Sequence, residues 1–228
     1  MDLKVGSKLR TIRLAQGKSL RSVATGVGIS PSLLSQVENA KTSPSVSTLY
    51  ALVSYLGVTL DALLPSESLT RGMDEWGMVK SNDVVQSRRD NQRLEMQNGV
   101  VWERLADKAN TLVDPLIVTY EPGAGSSVDG TTMQHNASEF GLLLEGNLTL
   151  NLDGKTYQIS SGDSFSFDAR LPHRYANNGN EVARGVWFVV SEDVTHKPQS
   201  TKSRKKGVQP ESAVEVLAIM GNQRKSVK

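Results

Sequence analysis

The chain contains no cysteine among its 228 residues. This absence excludes disulfide bridges and thiolate metal ligands, and it fits a reducing compartment. No apolar run approaches the eighteen or so residues that a membrane-spanning helix needs. The first residues, Met1 to Lys4, also lack the apolar core of a signal peptide. We therefore expect no membrane partner and a location in the cytoplasm.

The formal net charge of +2 is low, but it is distributed unevenly along the chain. Residues 1–64 carry a net charge of +4, residues 65–195 a net charge of −8 and residues 196–228 a net charge of +6. Because contacts with phosphates need lysine and arginine, a polyanion should be contacted by the two ends. The alternative is that this positive charge is only solvated surface.

Apolar residues recur at helical spacing on both sides of Gly28. Ser30 can cap the second segment, and Pro31 can occupy its first turn, where a missing N–H costs nothing. The pattern predicts two helices joined by a tight turn, a helix-turn-helix. The exposed face of the second helix would present short or amide side chains, which can reach base edges: Ser32, Ser35, Gln36 and Asn39.

The organisation of the chain predicts an α+β protein with two domains. Helical spacing up to about Leu64 predicts a five-helix bundle over 1–64, and the composition of 65–82 is that of a linker. From 83 to 195 the apolar period is two, with turn signals such as Asp153-Gly154, which is typical of an antiparallel all-β barrel. We expect the basic tail, 196–228, to be poorly ordered. The expected strands are Val84–Arg88, Val100–Leu105, Leu116–Tyr120, Phe140–Leu144, Leu148–Leu152, Lys155–Ile159, Ser164–Phe167, Arg174–Ala176 and Val182–Val190.

The segment from Gln36 to Pro44, with the sequence QVENAKTSP, resembles the phage-repressor-like (Cro and repressor) helix-turn-helix family in its xenobiotic-response-element branch. The resemblance covers about residues 3–64 and implies a second helix that lies in the major groove. It also implies a symmetric dimer on double-stranded operator DNA with half-sites about 34 Å apart, and an ion pair between Arg13 and Glu38. Gln36 is the best base reader, because its amide can pair with adenine. The residues expected to contact DNA are Arg13, Ser19, Pro31, Ser32, Ser35, Gln36, Asn39, Lys41 and Ser43.

The second domain resembles a cupin, a small double-sheet barrel (double-stranded β-helix), over about residues 95–191. His135, Glu139 and Gly146 match the first signature of that family, although Met133 occupies the position of its first histidine. Gly162, His173 and Asn177 match the second signature. Closure of the barrel could point His135, Glu139 and His173 inward together.

Two imidazoles and one carboxylate form a ligand set suited to one divalent metal, either iron, nickel, manganese or zinc. The alternative is a remnant site without metal, in which the same cavity serves as a pocket for a small-molecule effector. For the aromatic residues, simple core packing is a further alternative. The expected lining of the pocket is Tyr120, Met133, His135, Glu139, His173, Tyr175 and Trp187.

These features favour a transcription regulator, not an enzyme: a homodimer whose cupin domains bind an effector and thereby change operator binding. The main alternative is an iron-dependent cupin oxygenase, since the phosphonate-epoxidising enzymes that this chain also resembles use the same histidine, glutamate and histidine set. A third alternative is an antitoxin-like partner protein. The acidic barrel argues against that alternative, because such proteins are usually little more than the reading domain.

Overall fold

The computed structural model describes residues 3–58, 63, 85–106 and 113–191. Met1–Glu192 form one compact unit. The predicted linker (65–82) and the predicted tail (196–228) lie outside the described residues. Most of the predicted fifth helix also lies outside them, and only Leu63, which is helical and buried, is described there.

Four α-helices form the described part of the N-terminal domain. The last three each begin at a serine whose hydroxyl accepts the amide hydrogen of the residue three positions on, as the capping rule predicts. The second and fourth end at Gly28 and Gly57, whose φ angles of 78° and 64° are left-handed. Among the described residues, no helix is both long and apolar enough to cross a membrane. The helices are α1 (Leu3–Ala15), α2 (Leu20–Val27), α3 (Pro31–Glu38) and α4 (Val46–Leu56).

Nine antiparallel strands follow in the described residues and form two sheets. The larger sheet has the order β1-β2-β3-β9-β4-β7, and the smaller has the order β6-β5-β8. The expected antiparallel all-β domain is therefore confirmed. The strands are β1 (Arg93–Glu95), β2 (Val100–Arg104), β3 (Val113–Tyr120), β4 (Ala137–Glu145), β5 (Asn147–Leu152), β6 (Lys155–Ser160), β7 (Ser164–Asp168), β8 (His173–Ala176) and β9 (Ala183–Ser191).

Alternate residues of the strands fill the space between the sheets. On β9, Trp187 and Val189 are buried while Phe188 is exposed, which is the period of two that the sequence predicts. Asp153 and Gly154 form the predicted hairpin between β5 and β6, with φ angles of 48° and 74°. These positive angles are those of the tight turns that suit a twisted hairpin.

The start of the barrel differs from the prediction. Val84–Arg88 was expected to form a strand, but the structure has only an isolated bridge at Val85, followed by a 3-10 turn at Arg88–Asp90. Among the described residues, the first strand is Arg93–Glu95, which was not predicted from the sequence. Leu94 is the only buried residue of that strand, and one apolar position does not make a recognisable alternation.

Helix α4 lies between the N-terminal domain and the barrel, and buried apolar residues of both form one continuous cluster. The amide of Ser47, in the first turn of α4, donates a hydrogen bond to the carbonyl of Ser126 (2.9 Å). The amide of Gln97 donates to the carbonyl of Pro44, also at 2.9 Å. Because the first amides of a helix have no partner within it, the barrel satisfies part of the N-terminus of α4.

Candidate functional site

The exposed edge of α3 carries the residues predicted to read DNA bases. Pro31, Ser32 and Gln36 are exposed, and Ser35 is half-buried. Gln36 is the one long amide side chain on this helix, and it makes no hydrogen bond within the described part of the chain. The structure therefore leaves its donor and acceptor pair available to an external partner.

The residues predicted to hold phosphates lie around that helix. Lys41 is exposed and Ser43 is half-buried just beyond α3, and the Ser19 hydroxyl caps α2 by accepting from the Ser22 amide. Asn39 is exposed, but its amide group donates to the Ser35 carbonyl (2.8 Å) and accepts from an Arg10 guanidinium nitrogen at 3.3 Å. This contact places the exposed cation of Arg10 beside α3. Arg10 was not among the residues predicted to contact DNA.

Arg13 was predicted both to pair with Glu38 and to contact DNA, and the structure bears out only the pairing. Its guanidinium donates to both carboxylate oxygens of Glu38, at 2.6 and 2.7 Å, and to the carbonyl of Lys18 at 3.0 Å. Both side chains are buried. We therefore assign Arg13 a structural role: it holds α3 against α1, because its guanidinium donates its hydrogen bonds within the protein.

Three residues from two distant parts of the barrel meet as their signatures predict. His135 precedes β4, Glu139 lies on β4 and His173 begins β8. One ligand atom from each residue lies within 4.8 Å of the other two. His135 Nε2 is 2.8 Å from Glu139 Oε1, and His173 Nε2 is 3.3 Å from the same oxygen. We call these residues the triad.

The two histidines of the triad use their ring nitrogens differently. A carboxylate only accepts, so the His135 Nε2 that bonds Glu139 must carry the proton. His173 Nδ1 lies 2.8 Å from the carbonyl of Leu171, which fixes that proton on Nδ1 and orients the ring. His173 Nε2 is buried and has no hydrogen bond from the described residues.

Glu139 is buried and stays ionised. Burial alone would raise its pKa, but the hydrogen bond from His135 and the two imidazoles beside the carboxylate outweigh this effect and lower the pKa to about 2. Its other oxygen accepts the hydroxyl hydrogen of Tyr175 at 2.7 Å. Burial, followed by the charge of Glu139, raises the pKa of Tyr175 well above its usual value, so that its hydroxyl remains a donor.

This donor set fits a divalent transition metal. Two ligands bound at right angles about 2.1 Å from a metal are about 3 Å apart, close to the 2.8 and 3.3 Å between Glu139 Oε1 and the two histidine nitrogens. The unpartnered Nε2 of His173 is the kind of atom that a metal would satisfy. The Leu171 carbonyl bonds His173 and the Tyr175 hydroxyl bonds Glu139, so these two groups would orient two of the three ligands.

A small cavity lies beside the triad, inside the barrel. Its volume is about 20 Å³, which is room for about one water molecule. Five of the predicted pocket residues line it, namely Tyr120, Met133, Glu139, Tyr175 and Trp187. His135 and His173 are not among its lining residues and instead flank Glu139.

The N-terminal domain supplies part of the cavity wall. Val46 and Tyr50 of α4 line it, together with Trp102 of β2. The Tyr50 ring is stacked on the ring of His135, with centroids 4.1 Å apart and planes 4° apart, and it meets Trp102 edge-on at 5.8 Å. The sequence analysis did not predict these three residues as part of the site.

A signal for the role of α4 was present in the sequence. Leu49, Leu52, Val53 and Leu56 form the apolar stripe expected of a bundle helix. Tyr50 lies four positions after Val46, and the two side chains widen the apolar surface of the helix beyond one stripe. A helix that is apolar on more than one face is buried on more than one side.

The two domains thus define a class of protein: a helix-turn-helix DNA reader joined to a double-sheet barrel that holds a small, polar-edged cavity. Two family models match these parts of the chain. A helix-turn-helix family matches residues 9–63, and the cupin domain family matches residues 116–189. The chain therefore carries a helix-turn-helix domain followed by a C-terminal cupin domain.

Several known proteins are similar to this chain over most of its length. The HTH-type transcriptional regulator PuuR of Escherichia coli (strain K12) is 29% identical over 80% of this chain and 92% of its own length. The HTH-type transcriptional regulator SutR of the same organism is 24% identical over 78% of this chain and 89% of its own. The crystal structure of an HTH_3 family transcriptional regulator from Vibrio cholerae has a TM-score of 0.58 at 20% identity. The match covers 83% of this chain and 96% of the Vibrio cholerae chain, and it shows that the two chains share a fold.

Proposed function

We propose that the chain is a sequence-specific transcriptional regulator in the cytoplasm, whose cupin domain binds a small molecule and thereby changes its affinity for operator DNA. One observation carries this proposal: the exposed reading edge of α3 and the buried triad belong to one compact unit. In this proposal the triad is the ligand-binding site of the unit, and α3 is the helix that contacts DNA.

Gln36 is the proposed base reader, with Pro31, Ser32 and Ser35 beside it. Ser19, Asn39, Lys41 and Ser43 are proposed to hold phosphates, which fix position but carry no sequence information. We add Arg10 to these phosphate-binding residues, because its exposed guanidinium donates a hydrogen bond to Asn39.

Fluorescence anisotropy with a fragment of the chain's own promoter region and with unrelated DNA tests this assignment. Gln36→Ala should reduce the preference for the promoter by about 1–3 kcal/mol, whereas Lys41→Ala should weaken both complexes equally and lower the salt slope by about one. A wild-type chain that binds both DNAs equally at moderate salt would refute the proposed function.

A homodimer is proposed because a helix-turn-helix domain reads one half-site, and an apolar outer face of the barrel offers an interface. Phe140, Leu142 and Leu144 of β4 are exposed to 45, 40 and 43%, and Phe188 of β9 to 43%. Phe140 and Phe188 are cross-strand partners, so the side chains form one contiguous surface on the larger sheet. Patches of this kind mark protein interfaces, and a second copy of this chain is the occupant that two half-sites require.

Sedimentation velocity on the full chain tests the interface. Phe140→Lys should convert the dimer to a monomer, because it buries a charge in an apolar contact. Tyr157→Lys is the matched control, because Tyr157 is an equally exposed aromatic residue (46%) on the smaller sheet. A wild-type chain that sediments as a monomer, or two variants that behave alike, would contradict this interface.

The triad is proposed to hold one divalent metal, either Fe, Ni, Mn or Zn, with the effector bound in the adjoining cavity. His135, Glu139 and His173 would be the ligands, and Tyr120, Met133, Tyr175 and Trp187 the walls of the effector site. A bound metal would supply a Lewis-acidic centre with open coordination positions. The alternative of an iron-dependent cupin oxygenase or epoxidase rests on the same three ligands. Oxygen consumption by the iron-loaded chain distinguishes the two, and the regulatory proposal predicts none above a Glu139→Gln control.

A further inference from the structure

The cavity beside the triad is too small for an effector larger than about one water molecule. Three protein ligands also leave a metal with further coordination positions, which need space for water or another ligand. A metal that carries two or more further ligands, or an effector larger than one water molecule, must therefore displace part of the cavity wall.

The parts of the wall differ in how firmly they are held. Leu116, Val118, Trp187 and Val189 lie on strands with hydrogen-bonded neighbours on both sides. Val46 and Tyr50 lie on α4, whose segment is tied to the barrel by the backbone bonds Ser47–Ser126 and Pro44–Gln97 and by side-chain packing. Because moving a central strand breaks two ladders and moving α4 breaks far fewer hydrogen bonds, α4 yields more easily than the central strands.

Two contacts connect the triad to α4. The first is the stack of Tyr50 on His135, whose proton-carrying Nε2 is held by Glu139. The second runs through Tyr175, whose hydroxyl donates to Glu139. Its backbone exchanges hydrogen bonds with Ser126, whose carbonyl accepts the Ser47 amide. A change at His135 or Glu139 therefore reaches the first turns of α4 within a few bonds.

From α4 the connection continues to the DNA-reading edge. Helix α4 packs on α2, and α2 packs on α3. The buried Arg13–Glu38 pair joins α1 to α3, so the four helices are linked as one body. A displacement of α4 from the barrel would move the α3 edge with it.

We propose that Tyr50 and Val46 form a movable wall, so that filling the triad cavity lifts α4 from the barrel and changes the affinity of the chain for DNA. This inference rests on the proposed function and adds the structural path by which an occupant of the triad changes DNA binding. Tyr50 is a positioning residue, because it acts through His135 and α4 and not by contact with DNA.

The test measures the coupling between zinc and DNA in the full chain, stripped of metal beforehand. Zinc is the probe, and its dissociation constant is measured by calorimetry with and without the promoter fragment. The dissociation constant for DNA is measured with and without zinc. In the wild type both ratios should be equal, as linkage requires, and should amount to about fivefold or more.

Tyr50→Leu should bring this ratio close to one, because it removes the ring on His135 while keeping an apolar helix residue. Tyr50→Phe should keep the ratio, because the ring remains. Tyr55→Leu is the matched control and should also keep it. Tyr55 lies on the same helix, but its contacts are with Ser22 and Lys18 of the N-terminal domain.

Hydrogen exchange on the wild type keeps the inference testable if Tyr50→Leu does not fold. Zinc should accelerate exchange of the Ser47 and Gln97 amides, which bridge the α4 segment and the barrel. Unchanged or slower exchange there, no zinc binding, or a zinc–DNA coupling that Tyr50→Leu retains would each overturn the inference. The proposed function fails on a different result, namely no preference for the promoter fragment with or without zinc.

Discussion

Glu38 in the N-terminal domain and Glu139 in the barrel are both buried carboxylates, exposed to only 5 and 2%, yet their surroundings differ. One guanidinium satisfies both oxygens of Glu38 with two short hydrogen bonds. Glu139 instead faces two imidazoles and a tyrosine hydroxyl, and one of those imidazoles has a buried nitrogen without a hydrogen bond from the described residues. A buried charge with one matched partner supports the fold, whereas a buried charge among several incompletely paired donors can accept a ligand.

The largest expected effect comes from breaking the matched pair. Glu38→Leu leaves the Arg13 guanidinium buried without its counter-charge, which should lower the free energy of unfolding by about 3–5 kcal/mol. Urea unfolding of the full chain followed by circular dichroism measures this loss. The double variant Arg13→Met/Glu38→Leu should recover most of it, because no unpaired charge remains. A single variant as stable as the wild type would contradict a structural role for the pair.

Removing the carboxylate of the triad should affect metal binding more than stability. Glu139→Gln loses one of three ligands, so zinc affinity should fall by more than the 10–100-fold that is typical when a residue that only orients a ligand is changed. Calorimetry on the stripped chain measures it. Glu145→Gln, an exposed glutamate on the same strand, is the control and should bind zinc as the wild type does. Equal affinities in the two variants would show that the triad is not the metal site.

A smaller loss of zinc affinity should follow when the tyrosine that donates a hydrogen bond to Glu139 is changed. Tyr175→Phe removes the hydroxyl that donates to Glu139 at 2.7 Å and should weaken zinc binding about 10–100-fold. Tyr120→Phe is the control, because Tyr120 lines the same cavity but its hydroxyl bonds no described residue. If both variants lost the same affinity, the effect would come from the cavity as a whole and not from the bond to Glu139.

The smallest effect is expected at an ion pair that is short but exposed. Arg170 and Asp168 approach to 2.6 Å, yet their side chains are exposed to 56 and 40%. Solvent screens such pairs, so Asp168→Asn should leave the urea midpoint unchanged within error. A loss comparable to that of Glu38→Leu would show that burial is not what distinguishes the two pairs.

Sequence reasoning predicted the elements that local chemistry determines. The cap at Ser30 and the turn at Gly28 follow from residue types at adjacent positions, and the structure confirms them. The meeting of His135, Glu139 and His173 was also anticipated, because two separate family signatures contain them and closure of the barrel brings those signatures together.

What sequence reasoning missed depends on contacts between distant segments. Tyr50 was not predicted in the site, because the widened apolar surface of α4 indicates burial on a second side but does not indicate which part of the chain packs there. Arg13 was assigned to DNA as well as to Glu38, because a charged residue gives no sign of its burial. The strand at Arg93–Glu95 has one buried position, so its pairing with β2, and not its own pattern, determines that it forms.

The central claim is that the occupant of the triad sets the affinity of the chain for its operator. Fluorescence anisotropy of the promoter fragment, titrated with the wild type and with Glu139→Gln in the presence and absence of saturating zinc, tests it most directly. The account predicts that zinc changes the dissociation constant of the wild type for DNA by about fivefold or more and leaves that of Glu139→Gln unchanged. A wild-type dissociation constant that is the same with and without zinc, or an equal zinc effect in both chains, would contradict it.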